Sequence, residues 1–138
     1  MAQETKHVIV EWIGDLRFSA GAPNGPRSFI DGDNASAPGP MLTLLGAAGS
    51  CSASDVVMIL QKKQVKLSKL TVELAGLRRE QAPNRYLSIA LVWHLAGEGL
   101  DEVKARHAIE LSVEKYCSVM ASLAPDLRIT NEIHIEAT

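Results

Sequence analysis

Two cysteines, Cys51 and Cys117, are the side chains of this 138-residue sequence that are best suited to carry out chemistry. A cysteine thiolate is a strong nucleophile, and two thiols that meet can form a disulfide and be reduced again. The chain has no Cys-x-x-Cys spacing, so it lacks the thioredoxin redox motif. From the residues alone, each cysteine is either a reactive thiol or a small buried apolar side chain.

The histidines and glycines add no recognisable cofactor motif to these thiols. The four histidines fall in different predicted elements, without HxxxH or HExxH spacing, and no cysteine lies close to them in sequence. The sequence also contains neither a P-loop nor a GxGxxG fingerprint. We therefore expect no metal and no bound cofactor.

Charge and composition limit the possible partners. The net charge is −2 and aromatic residues make up 4% of the chain, which disfavours both a basic nucleic-acid surface and a base-stacking platform. The first ten residues, MAQETKHVIV, lack the layout of a signal peptide. We expect a cytoplasmic protein that binds neither nucleic acid nor membrane, where a permanent disulfide would be unusual.

Cys51 lies near the middle of the longest apolar segment, from Pro40 to Lys63, which we predict to be a central helix. Apolar residues cover most of its circumference, so it should be buried on most sides. Its glycines, serines and Asp55 argue against a bilayer span. Asp55, one turn beyond Cys51, would disfavour a thiolate there, so a cation from elsewhere in the fold is needed.

The flanking segments predict strands and a second helix. Alternation of apolar and polar residues predicts strands over 7–13, 16–19, 28–31, 70–79 and 86–95, and isoleucines near the end mark a last strand. Asp101 is a predicted N-cap for a helix running to about Leu123, with Cys117 in its C-terminal half. Its predicted buried face consists of Ile109, Val113, Tyr116, Met120 and Leu123.

The resulting order, β-β-β-α-β-β-α-β, with runs of antiparallel strands, predicts an α+β fold in a single domain of residues 1–138. About six short strands would form one modest sheet, which cannot cover a helix that is apolar nearly all round. A second subunit would supply the missing cover. We therefore expect a homodimer on burial grounds.

Two separated segments resemble a known family. PMLTLLGAAGSCSASDVVMIL at 40–60 resembles the first motif of the OsmC/Ohr superfamily, and LSVEKYCSV at 111–119 resembles the second. The element order agrees over nearly the whole chain. Through RREQAP at 78–83 and EKYCSV at 114–119, the sequence is most similar to the YhfA-like branch of OsmC proteins.

The resemblance implies a function and a site. It implies a thiol-dependent peroxidase that reduces organic hydroperoxides, with Cys51 as the peroxidatic cysteine and Cys117 as the resolving one. It also implies an external dithiol as electron donor. The assembly it implies is an intertwined homodimer with sites at the subunit interface.

The sequence departs from the family pattern at one position. Family members carry a glutamate some ten residues before the first cysteine, paired with an arginine that stabilises the thiolate, whereas residues 41–43 here are Met-Leu-Thr. Arg17 is our first candidate for the arginine and Arg27 the second. The missing carboxylate also motivates an alternative, a binding protein for a small hydrophobic ligand with weak or no peroxidase turnover. A third hypothesis is a structural domain with inert cysteines.

Overall fold

The structure of the chain is a computed structural model that describes residues 2–137. It confirms the mixed α+β class and the predicted order of strands and helices, except that the second helix is interrupted. Two compact units are present, Met1–Leu44 and Leu45–Thr138. The single domain of residues 1–138 stays a prediction.

The first unit contains a three-stranded antiparallel sheet, in the order β1 (Ile9–Gly14), β2 (Arg17–Gly21) and β3 (Ser28–Asp31). The first strand begins at Ile9, two residues later than predicted. Gly14 and Asp15 have positive φ angles of 122° and 47°, and the register shifts just before Gly14. The turn that follows this bulge consists of Asp15 and Leu16.

The loop after β3 is organised by one buried carboxylate. Asp31 accepts hydrogen bonds from the backbone N–H of Asp33 at 2.9 Å, Ala35 at 3.3 Å and Ser36 at 2.8 Å, and from the Ser36 hydroxyl at 2.9 Å. The backbone donors, those of Ser36 and Asp33 above all, lower the pKa of Asp31 to about 2. The charged carboxylate therefore fixes the loop that leads into the central helix.

The central helix, α1 (Pro40–Lys62), ends one residue before the predicted boundary. Only six of its 23 residues are buried, along a single stripe: Leu45, Ala48, Gly49, Ser52, Val56 and Leu60. One chain therefore fully buries a single face of this apolar helix and leaves other faces partly or fully exposed, as expected if one chain cannot cover it alone. The helix is also long and apolar enough to cross a membrane, a criterion that core helices of soluble proteins meet as well.

The second unit contains a separate three-stranded sheet, in the order β4 (Lys66–Arg78), β5 (Tyr86–Glu98) and β6 (Arg128–Ile135). The chain therefore contains two sheets, whereas the sequence predicted one modest sheet. A second correction is that β6 runs parallel to β5, because the helices between them make the crossover that parallel pairing requires. The predicted alternation in β5 is confirmed, with Ile89, Leu91, Trp93 and Leu95 nearly inaccessible.

Gly49 allows α1 to lie close to this sheet. A Cβ at this position would lie 2.6 Å from Leu74 Cδ1, which is closer than carbon atoms can pack. A side chain at Gly49 would therefore require the Leu74 side chain on β4 to shift.

The predicted second helix is interrupted before Cys117. It begins with α2 (Glu102–Leu111), and Asp101 is its N-cap as predicted, with the carboxylate accepting from Lys104 N at 2.8 Å. A π-helical turn (Ser112–Tyr116) follows, then α3 (Ser118–Ala121). A continuous helix to about Leu123 was therefore a wrong prediction.

The π-turn also changes the predicted buried face. Ile109 and Met120 are buried as predicted, but Tyr116 is 53% exposed. A π-turn inserts one extra residue into a helix, so residues after the insertion no longer continue the earlier stripe. The sequence periodicity could not show this change of phase.

We predict that Asp31→Asn lowers the melting temperature at pH 7, because a neutral amide replaces a carboxylate that four donors stabilise. The stabilisation should be fully present above pH 3.8, the ordinary pKa of the group, and should disappear as the pH falls through about 2. The measurement is thermal unfolding of both proteins between pH 7 and pH 2. The exposed neighbour Asp33→Asn is the control, and a difference between Asp31→Asn and wild type that does not shrink with acidity would contradict the prediction.

Candidate functional site

Cys51 lies in the middle of α1 and is partly exposed as a free thiol. It directly precedes Ser52, which belongs to the buried stripe of the helix. The sulfur therefore lies at the edge of that stripe, where one side faces the interior of the second unit and another remains open. This is the kind of position that a small oxidant can reach.

Cys117 lies where the chain leaves the helical conformation, between the π-turn and α3. Its backbone is extended, with φ of −70° and ψ of 106°, and its residue exposure is 3%. The sulfur accepts a hydrogen bond from Met120 N at 3.4 Å. Single π-turns often occur at functional sites, and here the turn ends directly at the thiol.

The structure brings the two predicted cysteines together. The Cys51 and Cys117 thiols lie close enough for Cys51 to raise the pKa of Cys117, although they are far apart in sequence. The second helix is interrupted just before Cys117, so this proximity does not depend on the continuous helix that the sequence predicted.

Ser112 connects the π-turn to α1. Its hydroxyl, which is inaccessible to solvent, lies 3.1 Å from the Ser52 carbonyl oxygen and 2.9 Å from Asp55 Oδ2. Its carbonyl accepts from the backbone N–H of Cys117 at 2.8 Å. The hydrogen bonds of Ser112 thus run from the residues flanking Cys51 in α1 to the backbone of Cys117.

Burial is the main cause of the electrostatic state of Cys117. Burial raises the pKa of the Cys117 thiol above its ordinary value, and the interaction with Cys51 raises the pKa further. The nearby Ser52 hydroxyl and the hydrogen bond from Met120 N–H act in the opposite direction. The net effect keeps the proton on Cys117.

Arg17 and Arg27, the two candidate cations, both lie in the first unit. Arg17 makes weak contacts, with Nη2 3.5 Å from the Ile13 carbonyl and Nε 3.9 Å from Asp15 Oδ2, and its side chain is 43% exposed. Arg27 Nη2 donates to Ser19 Oγ at 2.9 Å and to the Ile9 carbonyl at 3.0 Å. Arg17 therefore has more donors available for a new partner, and its pairing with Cys51 stays a prediction.

The start of α1 has no equivalent of the family glutamate. Pro40 begins the helix, and the next three residues are Met-Leu-Thr. The Thr43 hydroxyl donates to the Gly39 carbonyl at 2.7 Å, so its hydrogen bond stabilises the helix start. An arginine acting on Cys51 would have to be held by other groups.

Two cavities lie near the cysteines in the second unit. One of about 690 Å³ follows the C-terminal half of α1 and is lined by Asp55, Met58, Ile59, Lys62, Lys63, Leu111 and Tyr116. Another, of about 420 Å³, is lined by Cys117 together with residues of the π-turn, α3 and the segment before β6. The first has the volume of a small-ligand site and begins one helical turn beyond Cys51.

Among residues 2–137, no group of three or more His, Cys, Asp or Glu side chains is arranged to hold a metal ion. The site therefore consists of two thiols and the hydroxyl, carboxylate and backbone groups around them. Sequence reasoning identified both thiols but missed Ser52 and Ser112. In the sequence, Ser52 is marked only by its place beside Cys51 in an apolar segment, and Ser112 only by its place at the start of the second motif.

Comparison with known proteins gives a family and two structural neighbours. Residues 32–132 match the family of OsmC-like proteins. The protein YhfA of Escherichia coli strain K12 is 38% identical to this chain over 129 residues, which are 93% of this chain and 96% of YhfA.

Solved structures show the same fold. A hypothetical protein from Aquifex aeolicus VF5 has a TM-score of 0.87 at 29% identity, with 99% of both chains covered. The organic hydroperoxide resistance protein OhrB of Bacillus subtilis has a TM-score of 0.60 at 14% identity, covering 96% of this chain and 100% of OhrB. At that identity the similarity to OhrB concerns the fold alone.

Proposed function

Because the chain belongs to the family of OsmC-like proteins, we propose that it is a cysteine-based peroxidase that reduces organic hydroperoxides in the cytoplasm. The predicted resemblance to this superfamily and to its YhfA-like branch is confirmed. The observation that carries the proposal is that Cys51 lies close enough to Cys117 to raise the pKa of the Cys117 thiol. OhrB, a neighbour in fold, is an organic hydroperoxide resistance protein, which supports hydroperoxides as the substrate class.

In the proposed first step, the Cys51 thiolate attacks one oxygen of the hydroperoxide. The O–O bond breaks, the remaining oxygen takes a proton and leaves as an alcohol, and Cys51 becomes a sulfenic acid. The sulfur loses two electrons and the peroxide gains them. Cys51 suits this role because it is the more accessible of the two thiols.

In the second step, the Cys117 sulfur attacks the sulfenic sulfur of Cys51. A disulfide forms, and the sulfenic oxygen leaves as water with the proton from Cys117. An external dithiol then reduces the disulfide by thiol exchange and is itself oxidised. Both thiols are regenerated, so no bound cofactor is needed.

The burial of Cys117 supports this division of roles. A thiol that stays protonated can donate its S–H to a Cys51 thiolate before the reaction and supply a proton to the leaving water after it. The raised pKa of Cys117 also makes it the poorer nucleophile towards peroxide. The buried thiol is therefore suited to resolution rather than to the first attack.

Arg17 is the proposed cation that activates Cys51. An opposite charge near a thiol favours the thiolate, and Asp55, one turn from Cys51, acts in the opposite sense. The contacts of Arg17 within the first unit are long, which makes it the better candidate to pair with a thiolate, whereas Arg27 is held by Ser19 and backbone carbonyls. Without the family glutamate, Arg17 would be held less firmly in that position.

The proposed assembly is an intertwined homodimer with the sites at its interface. Large apolar side chains are exposed in both units, including Val10, Trp12, Phe29, Met58 and Leu77. Exposed apolar surface of this extent, together with the uncovered faces of α1, is typical of an interface that another subunit covers. A second copy would supply the missing cover.

A second candidate function is binding of a small hydrophobic ligand with little peroxidase turnover. The observation that favours it is the cavity of about 690 Å³ beside the C-terminal half of α1. Met58, Ile59 and Leu111 give this cavity apolar walls, and Lys62 and Lys63 lie at one end. The missing glutamate is consistent with the same function.

We predict that the protein in solution has twice the 14.9 kDa mass of one chain, as measured by light scattering at low micromolar concentration. Met58→Glu, which places a charge on an exposed apolar position of α1, should shift the equilibrium towards monomer. Gln61→Glu, an exposed polar position of the same helix, is the matched control. A folded wild-type monomer would contradict the assembly.

We predict that Arg17→Ala slows the reaction of Cys51 with cumene hydroperoxide about 10-fold or more at pH 7, while the protein stays folded. A nearby cation can lower the pKa of a thiol by roughly 1–3 units, and each unit changes the ratio of thiolate to thiol tenfold. The measurement is stopped-flow oxidation alongside thermal unfolding. Arg27→Ala is the matched comparison, and a slower reaction in Arg27→Ala alone would show that the assignment is wrong.

We predict that one equivalent of cumene hydroperoxide removes both free thiols of the chain and links the Cys51 and Cys117 peptides in a non-reducing digest. In Cys117→Ser, oxidation should instead stop at a trappable sulfenic acid on Cys51 and proceed to sulfinic acid with excess peroxide. Mass spectrometry of the digests identifies each product.

The control for this prediction is Cys51→Ser, which should consume no peroxide above background in the presence of a dithiol. Equal consumption by wild type and Cys51→Ser would reject the peroxidase and leave ligand binding as the function. Oxidation of Cys117 alone would reverse the assigned roles.

A further inference from the structure

We propose that Ser52 is a positioning residue whose buried hydroxyl donates a hydrogen bond to the Cys117 sulfur whenever that sulfur is a thiolate. This inference rests on the proposed two-cysteine chemistry and assigns a role to a residue outside the two thiols and the activating cation. Three observations support it: Ser52 is buried, its hydroxyl has no hydrogen-bond partner in the reduced protein, and it lies near the Cys117 sulfur.

The Ser52 side chain is inaccessible to solvent, at 0% exposure. Among the residues that the structure describes, its Oγ is the one buried side-chain polar atom without a geometric hydrogen-bond partner. A buried hydroxyl normally finds a partner, because leaving it unpaired is unfavourable. An exception beside two thiols indicates that the partner forms in another chemical state of the site.

That partner is the Cys117 sulfur. The Ser52 hydroxyl makes no hydrogen bond in the reduced protein, but it lies near the Cys117 sulfur and lowers the pKa of that thiol against the effect of burial. Hydrogen bonds to a charged acceptor are shorter and stronger than those to a neutral one. A neutral thiol is a weak acceptor, so the bond should strengthen when the sulfur becomes negative.

Ser52 would complete a pair of donors around this sulfur. The Met120 backbone N–H already donates to Cys117 Sγ at 3.4 Å. The Ser52 hydroxyl approaches from α1, held by the bond from Ser112 Oγ to the Ser52 carbonyl oxygen at 3.1 Å. Two donors on separate elements can stabilise a thiolate that burial otherwise disfavours.

Cys117 carries negative charge at two points of the proposed cycle. It does so when it attacks the Cys51 sulfenic sulfur, forming the S–S bond as the S–O bond breaks and water leaves. It does so again when the external dithiol attacks Cys51, and the S–S bond breaks with its electron pair moving to Cys117. The leaving thiolate then takes a proton from the dithiol. Ser52 would stabilise both states without reacting.

The test begins with a chain whose only thiol is Cys117, the Cys51→Ala variant. In this background we expect Ser52→Ala to raise the apparent pKa of Cys117 by about 0.5–1 unit, which is a 3–10-fold smaller thiolate fraction near neutral pH. The pH dependence of iodoacetamide alkylation measures it. Ser52→Thr keeps the hydroxyl and should restore most of the thiolate, and Ser50→Ala, an exposed serine of the same helix, should change nothing.

With Cys51 present, the same substitution should separate the two oxidative steps. Ser52→Ala should leave the rate of Cys51 oxidation by cumene hydroperoxide unchanged. The following disulfide formation should slow about 3–10-fold, so the sulfenic acid can be trapped in larger amount. A dimedone probe and quenched-flow sampling measure the two steps.

Stability distinguishes positioning from a structural role. Because the hydroxyl is unpaired in the reduced protein, Ser52→Ala removes an unsatisfied polar group and introduces a better helix former. The melting temperature of the reduced protein should therefore stay the same or rise. An unfolded Ser52→Ala variant, or a lower melting temperature with an unchanged thiol titration, would overturn the proposal.

The outcome also separates this inference from the function on which it rests. If Ser52→Ala raises the apparent pKa of Cys117 but Cys51 does not react with peroxide, the result would support the role of Ser52 and reject the peroxidase. If Ser52→Ala leaves the apparent pKa of Cys117 unchanged and disulfide formation is normal, the result would reject the role of Ser52 and support the peroxidase.

Discussion

The hydrogen bonds of Ser112 to the central helix are the interaction on which the site depends. The Ser112 hydroxyl contacts the Ser52 carbonyl oxygen and the Asp55 carboxylate, and its carbonyl accepts from the Cys117 N–H across the π-turn. Both ends of this connection are inside the second unit, where a lost partner would leave a buried polar group unpaired. The position of one thiol relative to the other is therefore set by backbone and hydroxyl groups rather than by the thiols themselves.

This arrangement gives the two thiols different exposure to solvent and different protonation. Burial keeps the proton on Cys117, while Cys51, at the edge of the buried stripe, remains accessible. A pair of thiols with equal exposure would have no built-in order of reaction. The unpaired Ser52 hydroxyl fits the same logic, since natural proteins tolerate a locally unfavourable group where function needs it. Reactivity and stability are thus adjusted at adjacent residues of α1.

The first unit and the exposed faces of α1 bear on the two proposals that the thiols do not settle, which are the activating cation and the homodimer. Arg27 donates to Ser19 and to backbone carbonyls, whereas the contacts of Arg17 are long. Apolar side chains left exposed in one chain point to a partner surface. The missing carboxylate at the start of α1 means that an arginine in this protein would rely on that partner or on solvent for its own orientation.

The sequence determined the α+β class, the element order, the central helix and both cysteines, because periodicity, caps and two family motifs are local signals. It could not show the π-turn, since one inserted residue leaves composition and approximate spacing unchanged. Only the tertiary structure decided that Cys117 leaves the helix to meet Cys51, that β6 runs parallel to β5, and that Ser52 and Ser112 matter. These features depend on which buried polar groups find partners across the fold, and that depends on residues some 60 positions apart.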